Sequence, residues 1–193
     1  AEVGNKNRLL SNPFFKKINQ QLNFLNLNSM AVVNVHDKSF ETYLSEDSIQ
    51  QRVKELAATI NKDYAGKRPL FIVILNGSFM FASDIFKNLT IEVEVCFIKL
   101  ASYKGMKSTG KVITSIGLEE DLFGKDVLIL EDIVDTGKTL HNFLPKLLHQ
   151  QPKSLKIATL LHKPEATQHQ LTLDYVGFQI PNKFVVGYGL DYD

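Results

Sequence analysis

The sequence has little cysteine and contains no long apolar run. Cys96 is the only cysteine among 193 residues, which excludes a disulfide framework and a cysteine-based zinc site. It lies among apolar residues, so we expect a buried position on a strand. No stretch reaches the roughly 18 consecutive apolar residues of a membrane-spanning helix. We therefore expect no membrane partner.

The sequence also lacks an excess of charge of either sign. The formal net charge is +1. The first 29 residues hold four Lys or Arg and one Glu, which leaves 18 basic and 20 acidic residues in the remainder. A nucleic-acid-binding protein presents a broad basic face, so we expect no nucleic-acid partner. A small anionic ligand is compatible with this balance.

Residues 1–29 differ in composition from the rest of the chain, because they are rich in Asn and Gln. Two interpretations stay open: a true N-terminal extension, or an upstream segment before a natural start at Met30. Phe14-Phe15 is followed directly by two lysines, which does not fit a secretory signal, so we predict a cytoplasmic protein. Residues 30–193 contain no linker and are predicted to form a single domain.

Apolar runs and helical stripes alternate along this domain. The spacing of apolar residues predicts helices at 47–63, 79–89 and 139–149. Short apolar runs predict strands at 70–75, 91–100, 127–130, 157–161, 175–180 and 185–188. A long polar stretch at 101–116 suggests a lid or binding loop. The alternation indicates an α/β domain with a mainly parallel central sheet flanked by helices.

The segment Glu131-Asp132-Ile133-Val134-Asp135-Thr136-Gly137-Lys138-Thr139 is the most informative part of the sequence. It follows a predicted strand and leads into a helix, and ligands of parallel α/β sheets bind at the carboxyl ends of strands. Its Thr-Gly-Lys-Thr portion offers backbone N–H groups, hydroxyls and a helix N-terminus, which suit a phosphate monoester. Its three carboxylates suit the hydroxyls of a ribose, directly or through Mg²⁺. The segment therefore predicts a site for ribose 5-phosphate.

Five motifs in the same order resemble those of the purine phosphoribosyltransferase family. Besides the acidic segment they are Leu75–Ser78, Ser102-Tyr103 with Ser108–Gly110, Lys163-Pro164 and Pro181–Tyr192. The resemblance covers most of residues 30–193. It implies the type I phosphoribosyltransferase fold, in which a small hood accompanies the sheet. It also implies transfer of ribose 5-phosphate from phosphoribosyl pyrophosphate to N9 of hypoxanthine, and of guanine, in purine salvage.

The resemblance implies a role for each residue of the acidic segment. Glu131 and Asp132 hold the ribose hydroxyls and support Mg²⁺, while Ile133 packs on the purine. Asp135 is the acid/base that exchanges a proton with purine N7. The 5-phosphate is surrounded by Asp135, Thr136, Gly137, Lys138 and Thr139.

Further roles implied by the resemblance lie outside that segment. Lys163 donates to the oxygen at purine C6, and its ammonium could not recognise the adenine amino group in the same way. The remaining purine-binding residues are Phe184, which stacks on the base, Val185 and Asp191. Asp191 also holds a second Mg²⁺ with pyrophosphate. The pyrophosphate-binding residues are Asn76 and Gly77, in a turn with an often cis peptide, and Ser102 and Tyr103, in a mobile lid.

The sequence departs from the family pattern at two places. Many relatives carry Lys or Arg at the position of Asn76, and relatives usually continue beyond Asp193 with an arm that contains an arginine. Two alternatives stay open, a xanthine-guanine phosphoribosyltransferase and a regulatory protein that senses phosphoribosyl pyrophosphate. Lys163 and Phe184 together count against the second. The resemblance further implies a homodimer or homotetramer, with phosphoribosyl pyrophosphate and a 6-oxopurine as ligands.

Overall fold

The computed structural model describes residues 33–35, 38–102, 112–116 and 120–190, and the side chains of residues 39–100 and 120–190. The chain divides into two compact units between Ser45 and Glu46. In the first unit, β1 (Val33–Val35) pairs antiparallel with β2 (Lys38–Phe40). Residues 1–29 lie outside the described residues, so the division at Met30 stays a prediction.

The second unit contains a six-stranded sheet and three helices among its described residues. The elements are α1 (Glu46–Asp63), β3 (Leu70–Leu75), α2 (Phe79–Lys87), β4 (Glu94–Ser102), β5 (Val112–Ile116), β6 (Asp126–Val134), α3 (Lys138–Leu148), β7 (Ser154–His162) and β8 (Tyr175–Gln179). The strand order is β5-β4-β3-β6-β7-β8. Five of these strands are parallel to one another, namely β4, β3, β6, β7 and β8, and β5 is antiparallel to β4. The predicted α/β class with a mainly parallel sheet is confirmed.

The core lies around the central strands β3 and β6. Leu70 to Ile74 are all buried, and so are Val127 to Leu130. Such near-continuous apolar runs are typical of parallel strands that are covered on both faces. In α3, the buried residues Leu140, Phe143 and Leu147 recur at helical spacing and join the same core cluster. No helix in the described ranges is long and apolar enough to cross a membrane.

The predicted strand at 185–188 is wrong. The backbone turns there, because Gly187, Tyr188 and Gly189 have φ angles of 95°, 51° and 93°. These values belong to the left-handed region, which an extended strand cannot contain. The only pairing described for this segment is an isolated bridge between Gly187 and Leu190.

The predicted polar loop at 101–116 is shorter than expected. Ala101 and Ser102 complete β4, and Val112–Ile116 form β5, with Ser102 opposite Val112. The β-branched residues of 112–116 favour a strand. Residues 103–111, which include Tyr103, lie outside the described residues, so the lid itself stays a prediction.

Two further expectations are corrected by the extent of the strands. β6 continues to Val134, four residues beyond the predicted end, so Glu131 and Asp132 belong to the strand and not to a loop. Cys96 lies on β4 as expected, but it is half-buried and not fully buried. Burial still raises the pKa of its thiol to about 11, so this cysteine is not an activated nucleophile.

The burial of α3 yields a prediction for stability. Phe143 is 2% exposed, so Phe143→Ala removes a large core side chain and should lower the free energy of unfolding by about 3–5 kcal/mol. Phe123→Ala is the matched control, because Phe123 is 68% exposed, and it should change that free energy by less than about 0.5 kcal/mol. Urea denaturation measures both. Equal losses would contradict the described packing of α3.

Candidate active site

Three chain segments meet at one edge of the sheet. β3, β6 and β7 are parallel neighbours, so their carboxyl ends lie side by side. Asn76-Gly77 follows β3, Asp135–Gly137 follows β6, and Lys163 follows β7. Ligands of open parallel sheets bind at this edge. We therefore regard it as the candidate active site.

Glu131 is a buried acid near the end of β6. It is 9% exposed, and its Oε2 has no hydrogen-bond partner in the part of the chain that the structure describes. Burial, and to a smaller extent the charge of Asp132, raise the pKa of Glu131 well above its usual range. Asp132 is half-buried, and its Oδ1 accepts the N–H of Ile133 at 2.9 Å. Since a buried carboxylate without a partner is costly, this acid suits an external donor or cation.

The turn from β6 into α3 is the segment predicted to bind phosphate, the phosphate cradle. Gly137 directly precedes the helix with a φ of 76°, which a residue with a side chain rarely adopts. A Cβ at this position would also lie 2.8 Å from Leu171 Cδ1. Thr136, Lys138 and Thr139 are exposed around the helix start. The helix N-terminus and these side chains together suit a phosphate group.

Lys163 and Asp135 form an ion pair at the centre of this edge. Lys163 Nζ lies 3.0 Å from Asp135 Oδ2. The two side chains differ in exposure, with 8% for Lys163 and 47% for Asp135. Lys163 is therefore not an ordinary surface lysine, and its ammonium faces the same space as the Asp135 carboxylate. The sequence did not predict this pairing.

Of the other purine-binding candidates, Phe184 and Val185 lie beyond β8, and Ile133 lies on β6. The N–H of Ile180 donates to the carbonyl of His162 at 2.8 Å, which brings the end of β8 next to the residue before Lys163. Phe184 is 51% exposed, so it is not a core residue. Val185 and Ile133 are half-buried. The half-exposed ring of Phe184 is compatible with stacking on a planar ligand.

The turn after β3 lies in direct contact with β6. The peptide bond between Leu75 and Asn76 is cis, as the resemblance led us to expect. A Cβ added to Gly77 would overlap the carboxylate of Asp132. A Cβ added to Gly189 would lie 2.5 Å from the carbonyl oxygen of Gly77. Gly77 thus fits between Asp132 and Gly189, and both close approaches require glycine.

Some of the predicted site residues lie wholly or partly outside the described residues. Ser102 ends β4, but its side chain lies outside the described residues, as do Tyr103 and Asp191. Their roles stay predictions. Among the described residues there is no group of three or more side chains that could hold a metal ion. The adjacent acids Glu131 and Asp132 nevertheless fit Mg²⁺, which commonly binds one or two carboxylates and completes its shell with substrate oxygens and water.

A buried acid on α2 fixes the turn that packs against Gly77. Asp84 Oδ2 accepts hydrogen bonds from Tyr188 Oη and from Gln50 Nε2, each at 2.6 Å, and Asp84 Oδ1 accepts one from Lys87 Nζ at 2.8 Å. Burial acts to raise the pKa of Asp84, but these three hydrogen bonds outweigh it and hold the pKa below its usual range. Single polar residues on helices are common in sequences, so no sequence signal marked Asp84.

The mainly parallel sheet, with acids and a helix N-terminus at its carboxyl edge, places the chain in the class of α/β proteins that bind ligands at this edge. The sequence profile of the phosphoribosyl transferase domain matches residues 39–193. The chain therefore belongs to the phosphoribosyltransferase family.

Relatives and solved structures agree with this assignment. The chain is 44% identical over 157 residues to a hypoxanthine phosphoribosyltransferase of Buchnera aphidicola, covering 80% of this chain and 89% of the relative. It is 43% identical over 159 residues to a hypoxanthine-guanine phosphoribosyltransferase of Lactococcus lactis, covering 81% and 86%. A crystal structure of a Staphylococcus aureus hypoxanthine phosphoribosyltransferase superposes with a TM-score of 0.76 at 42% identity, covering 86% and 89%. The type I phosphoribosyltransferase fold is confirmed.

The surroundings of Asp84 predict a pH-dependent stability. Asp84→Asn should lower the free energy of unfolding by about 1–3 kcal/mol at neutral pH, because the hydrogen bonds from Lys87, Tyr188 and Gln50 lose their charged acceptor. A carboxyl with a lowered pKa stabilises the fold above its usual pKa, and this contribution is lost as pH falls through the folded-state value.

The difference between wild type and Asp84→Asn should therefore shrink below about pH 4. Thermal denaturation across pH measures it. Glu92→Gln, a change to an exposed carboxyl, is the control and should show no comparable difference. A difference for Asp84→Asn that stays constant down to low pH would refute the assigned role of its charge.

Proposed function

We propose that this protein transfers ribose 5-phosphate from phosphoribosyl pyrophosphate to N9 of hypoxanthine, and of guanine, and releases pyrophosphate. The observation that carries the proposal is the 3.0 Å contact between Lys163 Nζ and Asp135 Oδ2 at the sheet edge. It joins a hydrogen-bond donor to a proton acceptor beside the phosphate cradle at Gly137.

The Lys163–Asp135 pair matches one edge of a 6-oxopurine. Guanine presents O6 and N7 on the same edge, and adenine presents an amino group in place of O6. An ammonium can donate to O6 but has no acceptor for an amino group. Lys163 would therefore select the 6-oxo form, while Asp135 lies beside it for N7. Phe184 would stack on the base, with Ile133 and Val185 completing its surroundings.

In the proposed reaction, purine N9 attacks C1 of the ribose. The new C1–N9 bond forms as the bond from C1 to pyrophosphate breaks, and the proton on N7 passes to the Asp135 carboxylate. Geometry is the first requirement for such a proton transfer, and the position beside Lys163 supports it. Asp135 and the residues that follow it hold the 5-phosphate, through Thr136, Gly137, Lys138 and Thr139.

The acids of β6 and the turn after β3 would bind the rest of phosphoribosyl pyrophosphate. Glu131 and Asp132 would hold the ribose hydroxyls, and Asn76 and Gly77 the pyrophosphate together with Ser102 and Tyr103. Glu131 and Asp132, with Asp191 for a second ion, would also hold Mg²⁺. When bound, Mg²⁺ would neutralise charge on the pyrophosphate oxygens. The close approach of Gly77 to Asp132 supports this proposal, because the turn after β3 then lies next to the acids of β6.

A steady-state assay with four bases tests the proposed reaction. With Mg²⁺ and phosphoribosyl pyrophosphate, we expect turnover of hypoxanthine and guanine, and at least about a hundredfold lower kcat/KM for adenine, because a site built to donate to O6 leaves its donor unpaired. Faster turnover of xanthine would favour the xanthine-guanine alternative. Binding of phosphoribosyl pyrophosphate without turnover of any 6-oxopurine would favour the regulatory alternative and reject the proposal.

The role of Asp135 is tested by Asp135→Asn. The amide cannot accept the N7 proton, so kcat should fall by about 10²–10⁴-fold, as expected for loss of general acid–base catalysis. The dissociation constant for phosphoribosyl pyrophosphate, measured by calorimetry, should change much less. Thr136→Val is the comparison, because it alters the phosphate cradle and should weaken binding more than it lowers kcat. Equal losses in both quantities for Asp135→Asn would mean that Asp135 only positions the phosphate.

We also propose that the protein acts in the cytoplasm as a homodimer or homotetramer. Val95 and Phe97 are two residues apart and therefore lie on the same face of β4, and they are 39% and 43% exposed. Adjacent exposed apolar side chains are often covered by another subunit. Light scattering distinguishes the dimer, the tetramer and the monomer, and a monomer at micromolar concentration would reject the oligomeric part of the proposal.

A further inference from the structure

The hydroxyl of Thr167 contacts three residues at the ends of β6 and β7. Asp135 follows β6, His162 is the last residue of β7, and Lys163 follows β7. Thr167 Oγ1 lies 2.9 Å from the carbonyl oxygen of Asp135, 2.9 Å from that of Lys163 and 3.2 Å from Nε2 of His162. Thr167 is half-buried and lies in the turn that begins at Lys163. One hydroxyl thus touches the backbone of both members of the ion pair.

The Thr167 hydroxyl has one proton to donate, and its acceptor is inferred from which neighbouring carbonyl already accepts other hydrogen bonds. The Lys163 carbonyl accepts the N–H groups of Ala166 at 3.1 Å and of Thr167 at 3.2 Å. The Asp135 carbonyl has no such backbone donor among the described contacts, so it is the better acceptor for the single hydroxyl proton. His162 is half-buried, and burial lowers its pKa. Its neutral ring can donate from Nε2 to Thr167 Oγ1.

Neighbouring contacts reinforce the same connection. The N–H of Gln168 donates to the carbonyl of Thr136 at 3.0 Å, and the N–H of Lys163 donates to the carbonyl of Val134 at 2.9 Å. The turn after β7 is therefore attached to the end of β6 and the loop after it at three successive carbonyls, those of Val134, Asp135 and Thr136. The contact at Asp135 is the only one of these three that a side chain supplies.

We propose that Thr167 is a positioning residue, whose hydroxyl fixes the separation of the Asp135 carboxylate and the Lys163 ammonium by holding the two segments that carry them. This inference rests on the proposed function of the Lys163–Asp135 pair. Thr167 itself need not touch the substrate. Without the hydroxyl, the carbonyl of Asp135 loses its donor, and the two segments can separate at the point where the purine edge is read.

Two pairs of variants isolate the hydroxyl. Thr167→Val keeps the branched shape of threonine and replaces the hydroxyl with a methyl group. Thr167→Ser and Thr167→Ala both lack the methyl group of threonine and differ from each other only in the hydroxyl. We expect the variants without a hydroxyl to lose at least about tenfold in kcat with hypoxanthine, because small misplacements of reacting groups have large effects on rate. Thr167→Ser should stay within about threefold of wild type, a bound set by the loss of one methyl contact.

The division between kcat and KM separates this role from general damage. The KM for phosphoribosyl pyrophosphate should change less than kcat in every variant, since no side chain of the phosphate cradle is replaced. The preference for hypoxanthine over adenine should narrow in the Val and Ala variants. Equal kcat for Thr167→Ser and Thr167→Ala would overturn the proposal, and so would a Val variant with the kcat of wild type. If the Val variant does not fold, the Ser and Ala pair decides.

Amide hydrogen exchange tests the connection independently of activity. The amides of Gln168 and Lys163 should exchange at least about tenfold faster in the Val and Ala variants than in wild type and Thr167→Ser, because opening of this contact becomes easier. Unchanged exchange in all variants would overturn the positioning role even if activity fell. If the four proteins show this exchange pattern but wild type has no turnover, the proposed function fails while the structural role of Thr167 stands.

Discussion

The pairing of Val134 with His162 is the constraint on which the candidate site depends. Because β6 and β7 are parallel and in this register, the next residues along each strand, Asp135 and Lys163, leave the sheet side by side. The N–H of Lys163 still donates to the carbonyl of Val134, which carries the alignment one step beyond the strands. A shift by one residue would turn one of the two side chains away. The ion pair is therefore a product of sheet register.

The remaining parts of the site follow from close approaches to that edge. Gly77 can lie against Asp132 only because it has no side chain, and Gly189 approaches the carbonyl of Gly77 for the same reason. The turn at Gly189 is itself fixed by the hydrogen bond that Tyr188 donates to Asp84. These contacts bring the turns at Gly77 and Gly189, which are distant in the sequence, together beside Asp132 on β6.

Local patterns predicted most of the secondary structure of the second unit. The apolar run at residues 70–75 became β3 without any shift, because a strand buried on both faces needs no polar position. The predicted ends of strands were less accurate where polar residues continue the pairing of a strand. Glu131 and Asp132 are polar but continue β6, since Glu131 and Ile133, on either side of Asp132, still pair with Thr159 and Leu161 of β7. The strand predicted at 185–188 failed because positive φ angles at Gly187 and Gly189 turn the chain, although the valines before them favour a strand.

The sequence by itself determined the α/β class, the helix that follows Gly137 and the membership of a family with recognisable motifs. These features depend on residue order within short segments, where periodicity, glycine and helix capping act locally. Only the tertiary structure decided that Lys163 is buried against Asp135, that Gly77 lies between Asp132 and Gly189, and that the hydroxyl of Thr167 joins two strand ends. Each of these contacts links residues that are separated along the chain, and their proximity arises from strand order and register, which local sequence does not encode.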